Sequence, residues 1–387
     1  MEIVLKIKKF PFHYLFVFFL LSFLIVYHYP YVLGKMFGDP EDENAGYFYK
    51  FGLGYHVKFP QYIFDAAQWI NNFDEEFRIL LLPDQKANAY TWGFAGTGDI
   101  TWELFNKGIL FRSYGEGQSP PSPAEAIYNL AIDSLYKSSE PNSTEFVKLL
   151  GLLNVKFILQ RDDFLFNFFG DTDSPAFIKK KLGMQKGVKF SRSFGAWKFY
   201  EIENYAPRIH TVCHVTLINS QKDPKEWVKP WLNFQPDHAL ILGNIKNPEV
   251  LKNLACDEKQ SDQNKKPLLT FKKINPTVYI VDVNSSQKPI LLVLNNSFHE
   301  GWKAFIVNES GEENQINEHI QVNGYANGWI LPSMKQSPLQ VRLEFYPQRL
   351  FEIGIVISGS TFLIVLVWSL VQRYRTKKIK PESIPGM

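Results

Sequence analysis

Cysteine is nearly missing: two in 387 residues, which excludes a disulfide framework as the source of stability. A dominant charge is missing too. Forty-two basic against 39 acidic side chains leave +3, too little for a general nucleic-acid binder. Long apolar runs number two, and a mean hydropathy of −0.17 excludes a many-span membrane protein. Three chemical signatures are absent: a Gly-x-Ser-x-Gly elbow, a Gly-x-x-x-x-Gly-Lys phosphate loop and a His-Glu-x-x-His helix. Gly93, Gly96 and Gly98 do not have the dinucleotide spacing. What is plentiful is aromatic: 33 Phe, 18 Tyr and 9 Trp within a 45% hydrophobic chain. That excludes disorder and collagen, and the length allows two or three domains, each with its own core.

The first apolar run, Phe10 to Leu33, contains no Asp, Glu, Lys or Arg. Its 24 residues extend about 36 Å as a helix, enough to cross a bilayer. It is too long for a signal-peptide core, and no small-x-small cleavage site follows it. The second run, Leu350 to Val371, is also of spanning length and precedes Arg373, Arg375, Lys377, Lys378 and Lys380. Lys6, Lys8 and Lys9 stand before the first run, and Asp39, Glu41, Asp42 and Glu43 follow it. The positive-inside rule therefore predicts a plasma-membrane protein with two spans and both termini cytoplasmic, residues 34–349 lying outside.

Between the runs the pattern changes twice. Residues 34–215 mix helix and strand signals. Gln61 to Asn72 carries Ile63, Ala66, Ala67 and Ile70 on one face, and Phe77 to Leu82 is a short buried strand. A capping box at Ser122 to Glu125 starts a helix, and another is expected from Asn142, ended by Gly151. Val155 to Gln160 and Trp197 to Ile202 read as strands, and Pro175 to Leu182 as a helix stopped by Gly183. Residues 216–266 are broken by four prolines and read as an irregular connector. Residues 267–349 hold seven candidate strands, with Asn323-Gly324 and Asn327-Gly328 as turn dipeptides. The expected fold class is α+β: two transmembrane helices (10–33 and 350–371) flank a mixed α/β domain and a C-terminal β-sandwich. Short cytoplasmic tails, 1–9 and a basic 372–387, complete the chain.

Asp39, Glu41, Asp42 and Glu43 offer hard oxygen ligands to a divalent cation; a solvated juxtamembrane stretch is the other reading. His210, Cys213 and His214 invite a zinc reading, with His238 and Cys256 as further ligands. In one strand, however, residues 210 and 214 share a face that 213 opposes, which spoils a compact site. Cys213 and Cys256 either pair as a disulfide or remain thiols.

The segments NNSFHEGWKAF (Asn295 to Phe305) and VNGYANGWILP (Val322 to Pro332), then LQVRLEFYP and a span, carry a resemblance. LLGLLNVKFILQ, FRILLLP before YTWGF, and ENYAPRIHTV extend it upstream. Their order resembles the C-terminal part of GT-C membrane glycosyltransferases, in particular the alpha-(1→3)-arabinofuranosyltransferase family and YfhO-like membrane proteins. The resemblance implies a cell-envelope role in which the chain binds a polysaccharide or lipid-linked sugar. Family members carry a many-span bundle ahead of this region, with the catalytic acid on an early outer loop. No residue here matches that acid, so the resemblance implies a module that is inactive unless a separate multi-span subunit completes it. A membrane-tethered scaffold unrelated to glycosyl transfer is the alternative. Trp302 and Trp329 lie in the two most family-like motifs. Each is either a sugar-stacking platform or a core residue, and Tyr325, between turn dipeptides, is expected to be more exposed than either.

Overall fold

The computed structural model describes residues 12–32, 59–84, 88–96, 99–111, 123–166, 173–218, 228–232, 234–242, 245, 248–255, 269–284, 286–308, 310–333 and 339–378. Its first half runs α1 (Phe12–Val32), α2 (Gln61–Asn71), β1 (Arg78–Leu82), β2 (Asn88–Ala89), β3 (Ala95–Gly96), α3 (Thr101–Leu104), β4 (Gly108–Leu110), α4 (Pro123–Lys137), α5 (Glu145–Leu152), β5 (Val155–Arg161), α6 (Pro175–Gly183), β6 (Val188–Phe194) and β7 (Trp197–Ile202). There follow β8 (Ile209–Val212), β9 (His214–Ile218), α7 (Val228–Leu232), β10 (His238–Leu242) and a 3-10 turn (Pro248–Asn253). The rest is β11 (Leu269–Asn275), β12 (Val278–Val283), β13 (Ile290–Leu294), β14 (Trp302–Val307), β15 (Glu313–Ile316), β16 (His319–Val322), β17 (Ala326–Leu331), β18 (Leu339–Phe345) and α8 (Tyr346–Lys378). The fold is α+β with several sheets, in two compact units. One comprises Met1–Gln118, Ser138–Asn142 and Phe157–Ile202; the other comprises Ser119–Lys137, Ser143–Lys156 and Glu203–Met387.

The first unit is built on a five-stranded sheet of order β4-β1-β5-β7-β6. β1 and β4 are parallel; β5 and β6 are antiparallel to β7. β5 is buried along its whole length, its polar Lys156, Gln160 and Arg161 included. On α2, the predicted stripe Ile63, Ala66, Ala67 and Ile70 is the buried face. The aromatic load fills this core: the Trp69 ring meets Phe73, Phe157 and Phe199 edge-on at centroid distances of 4.9–5.4 Å.

The second unit holds a six-stranded sheet, β8-β13-β17-β16-β10-β9, and a five-stranded one, β11-β12-β18-β14-β15. Their apolar side chains form one cluster, with Ile290, Leu292, Leu294, Trp329 and Leu331 from the first sheet and Tyr279, Val281, Trp302, Val341 and Leu343 from the second. Cys213 alone separates β8 from β9, the two edges of the six-stranded sheet. Those edges therefore meet there, and the sheet curls back on itself. The segment 216–266, expected to be irregular, supplies β9, α7 and β10 to this unit. β15 is a strand that the pattern missed, because ENQI is polar and exposed.

Several local readings change. Asn142 lies at φ 67°, and the residue preceding α5 is Thr144. Gly151 is inside α5, where a Cβ would lie 2.4 Å from the Asn204 carbonyl oxygen. Its role is close approach, not termination. Asn323-Gly324 does form the turn between β16 and β17, both residues at positive φ. Asn327-Gly328 instead lies within β17. The capping box at Ser122 falls outside the described residues.

Among the described residues, one helix is long and apolar enough to cross a membrane: Tyr346–Arg375 of α8, none of whose apolar window is buried. A shorter apolar stretch, Val17–Tyr27, lies in α1. The two expected spans thus reduce to one candidate and one short apolar segment.

Candidate functional site

A cavity of about 330 Å³ opens in the second unit, lined by Leu152, Thr216, Pro230, Trp231, Phe234, His238, Ala239, Leu240 and Asn323. Its volume is at the lower end of the range for small-molecule sites. α7 supplies Pro230 and Trp231, while paired strands supply the opposite side. β9 and β10 run parallel, with His238 opposite His214 and Leu240 opposite Thr216. The period of two puts His214 and Thr216 on one face of β9 and His238 and Leu240 on the matching face of β10. Aromatic rings beside hydroxyl, amide and imidazole groups suit an amphipathic ligand such as a sugar ring.

At the edge of this cavity, His214, Asp237 and His238 converge, each offering one ligand atom within 4.8 Å of the others. The two imidazoles meet edge-on, with centroids 4.8 Å apart. Backbone bonds hold them: the Asp237 carbonyl accepts from the Cys213 and His214 amides at 2.9 and 3.1 Å, and the His238 amide donates to Gln235 O at 2.9 Å. His210, at the other end of the original set, is on β8 and buried. Burial holds its imidazole down at a pKa of about 4, against a smaller upward pull from its 3.1 Å bond to Pro207 O. The strand break at Cys213 therefore separates residues that one continuous strand would have grouped. Cys213 takes part in a disulfide; Cys256 lies outside the described residues, as do Asp39, Glu41, Asp42 and Glu43.

The three aromatic candidates are all buried. Trp329 is 0% exposed and stacks on His319 at 4.8 Å; Trp302 is 5% exposed and packs against Tyr279 and Phe345. Tyr325, expected to be more exposed than either tryptophan, is 4% exposed, between Trp329 and Trp302, and its hydroxyl donates to Leu152 O at 2.7 Å. The turn dipeptides misled here: only one of them is a turn, so the hairpin folds Tyr325 inward. The lining residues Trp231 and Phe234 escaped the sequence reading because they sit among the prolines of the supposed connector. Asp237 escaped because its role needs the parallel register of β9 and β10.

The first unit holds a separate polar core near the ends of β1 and β5. Buried Arg161 pairs with buried Asp99 and donates to Tyr90 Oη at 2.9 Å and Pro83 O at 3.0 Å. Asp163 accepts from Tyr62 Oη at 2.7 Å, Trp92 Nε1 at 2.9 Å and Trp197 Nε1 at 3.2 Å. Burial raises the Asp163 carboxyl above its ordinary range, and the donors and Arg161 oppose that. We read this network as structural.

No family model and no curated protein matches the chain. Among solved structures it is similar to the arabinofuranosyltransferase AftD from Mycobacteria, at 12% identity and a TM-score of 0.38, over 74% of this chain and 30% of that one. A mutant of the same enzyme is similar at 13% identity and a TM-score of 0.38, over 74% and 31%. The chain thus spans about 30% of the length of the solved structures it matches.

Proposed function

We propose that the chain is a membrane-anchored extracytoplasmic module that binds sugar during cell-envelope polysaccharide or glycolipid assembly. It has no catalytic acid of its own and works beside a multi-span glycosyltransferase subunit. One observation carries this reading: β18 ends at Phe345 and the exposed apolar helix α8 begins at Tyr346. The sheet unit and its cavity are thereby held at a bilayer surface. The motifs around Trp302 and Trp329 support the GT-C assignment through their order, and the shared core of the two sheets supports a β-sandwich. The first apolar run serves as a second span, both basic ends lie in the cytoplasm, and residues 34–349 lie outside.

Sugar sits in the cavity against Thr216, the exposed residue of its lining, since Trp231 is as enclosed as Trp302, Tyr325 and Trp329. The detergent-purified full chain on an array of envelope glycans tests this. Binding that falls about fivefold in Thr216→Ala at an unchanged melting temperature supports the reading, a lost hydrogen bond being worth about 1 kcal/mol. Absence of binding to every envelope glycan, with no multi-span protein copurifying, overturns it and leaves the tethered scaffold.

A further inference from the structure

We propose that His214, Asp237 and His238 form a zinc site, which goes beyond the sugar-binding reading and does not depend on it. The donor set is two imidazoles and one carboxylate, a combination that suits zinc and leaves one tetrahedral position open.

Three features distinguish this group from an incidental surface cluster. The histidines belong to adjacent strands in direct register, so neither can drift along the sheet relative to the other. The Gln235–His238 turn and the two bonds to the Asp237 carbonyl fix the third ligand against the same strand end. Among the described residues, none of the three side chains has a hydrogen-bond partner; His238 Nε2 lies 4.0 Å from Asp237 Oδ1. Zinc bonds of about 2.0–2.2 Å require donor atoms about 3.4 Å apart. The present spread of up to 4.8 Å therefore has to close by about 1.4 Å when zinc binds. His238 also lines the cavity, so the open coordination position is at the cavity's edge, where water or a hydroxyl of an occupant completes the shell.

The set differs from the one that spacing suggested. His210 is excluded by burial on β8 and Cys213 by its disulfide. His214 and His238 remain, joined by Asp237.

The test is zinc titration of the tag-free full chain in detergent against a chromophoric chelator, with X-ray absorption on the loaded protein. One zinc per chain and a scattering pattern of two imidazoles are expected. His214→Ala and His238→Gln should each weaken binding more than about tenfold, with circular dichroism unchanged. His299→Ala, a histidine outside the cluster, should bind as the parent does. Zinc affinity unchanged in both His214→Ala and His238→Gln overturns the proposal. So does a loaded protein whose zinc carries fewer than two imidazoles. Should Asp237→Ala unfold the chain, Asp237→Asn replaces it; parent-like affinity in Asp237→Asn would remove that residue from the site.

Discussion

His210 shows at one residue how burial becomes a pH response. Its imidazole is held neutral, with a pKa near 4 against 6.5 in the open chain. Between those values the unfolded chain binds the proton and the folded chain does not, so stability falls as pH drops from about 7 to about 4. The full shift corresponds to roughly 3 kcal/mol. His210→Asn keeps a donor for Pro207 O, its amide nitrogen standing in for Nδ1, and removes the titration. Chemical denaturation at pH 7 and pH 4.5 should show a smaller acid loss in this variant than in the parent; equal losses would clear His210 of the effect. At the same scale, Tyr325 shows why exposure was misread. A tyrosine beside Asn-Gly looks exposed until the hairpin's docking is known, and here its hydroxyl bonds to α5. Trp302 and Trp329 were legible only as alternatives, because an aromatic side chain in a strand motif serves a core or a ligand equally well.

At the scale of elements, two glycines read alike in sequence and differ in space. Gly151 and Gly183 each follow a helical stretch and predict its end. A Cβ on Gly151 would meet the Asn204 backbone at 2.4 Å, while one on Gly183 would meet nothing within 4 Å. Gly151→Ala should therefore cost about 1–3 kcal/mol, since the obstacle is main chain and cannot rotate away. Gly183→Ala, at the end of α6, should be neutral or stabilising by up to about 1 kcal/mol. Thermal denaturation of the pair checks both signs, and a harmless Gly151→Ala would contradict the close packing of α5. Amphipathic elements were legible from their own residues: the stripe of α2 and the alternation of β18 needed no partner to be recognised. β15 was not, because an exposed polar edge strand has no apolar period.

For the whole molecule, the decisive question is how the folded units meet the membrane. α8 has apolar side chains exposed over a spanning length, and water does not favour such a surface. If α1 also spans, a chain lacking residues 346–387 should stay in the membrane pellet after alkaline extraction. Removal of residues 1–33 as well should release it. Release by the first deletion alone would leave α8 as the single anchor.

Composition and periodicity by themselves determined that the chain is α+β, which face of α2 is buried, how β18 alternates, and where an apolar helix follows the last strand. These are local properties, set by neighbours three, four or two residues away. Only the tertiary structure decided that Cys213 divides two edge strands, that His214 lies opposite His238, and that Trp231 lines a cavity. Those facts depend on strand pairing between distant segments, and no local period encodes which strand becomes whose neighbour.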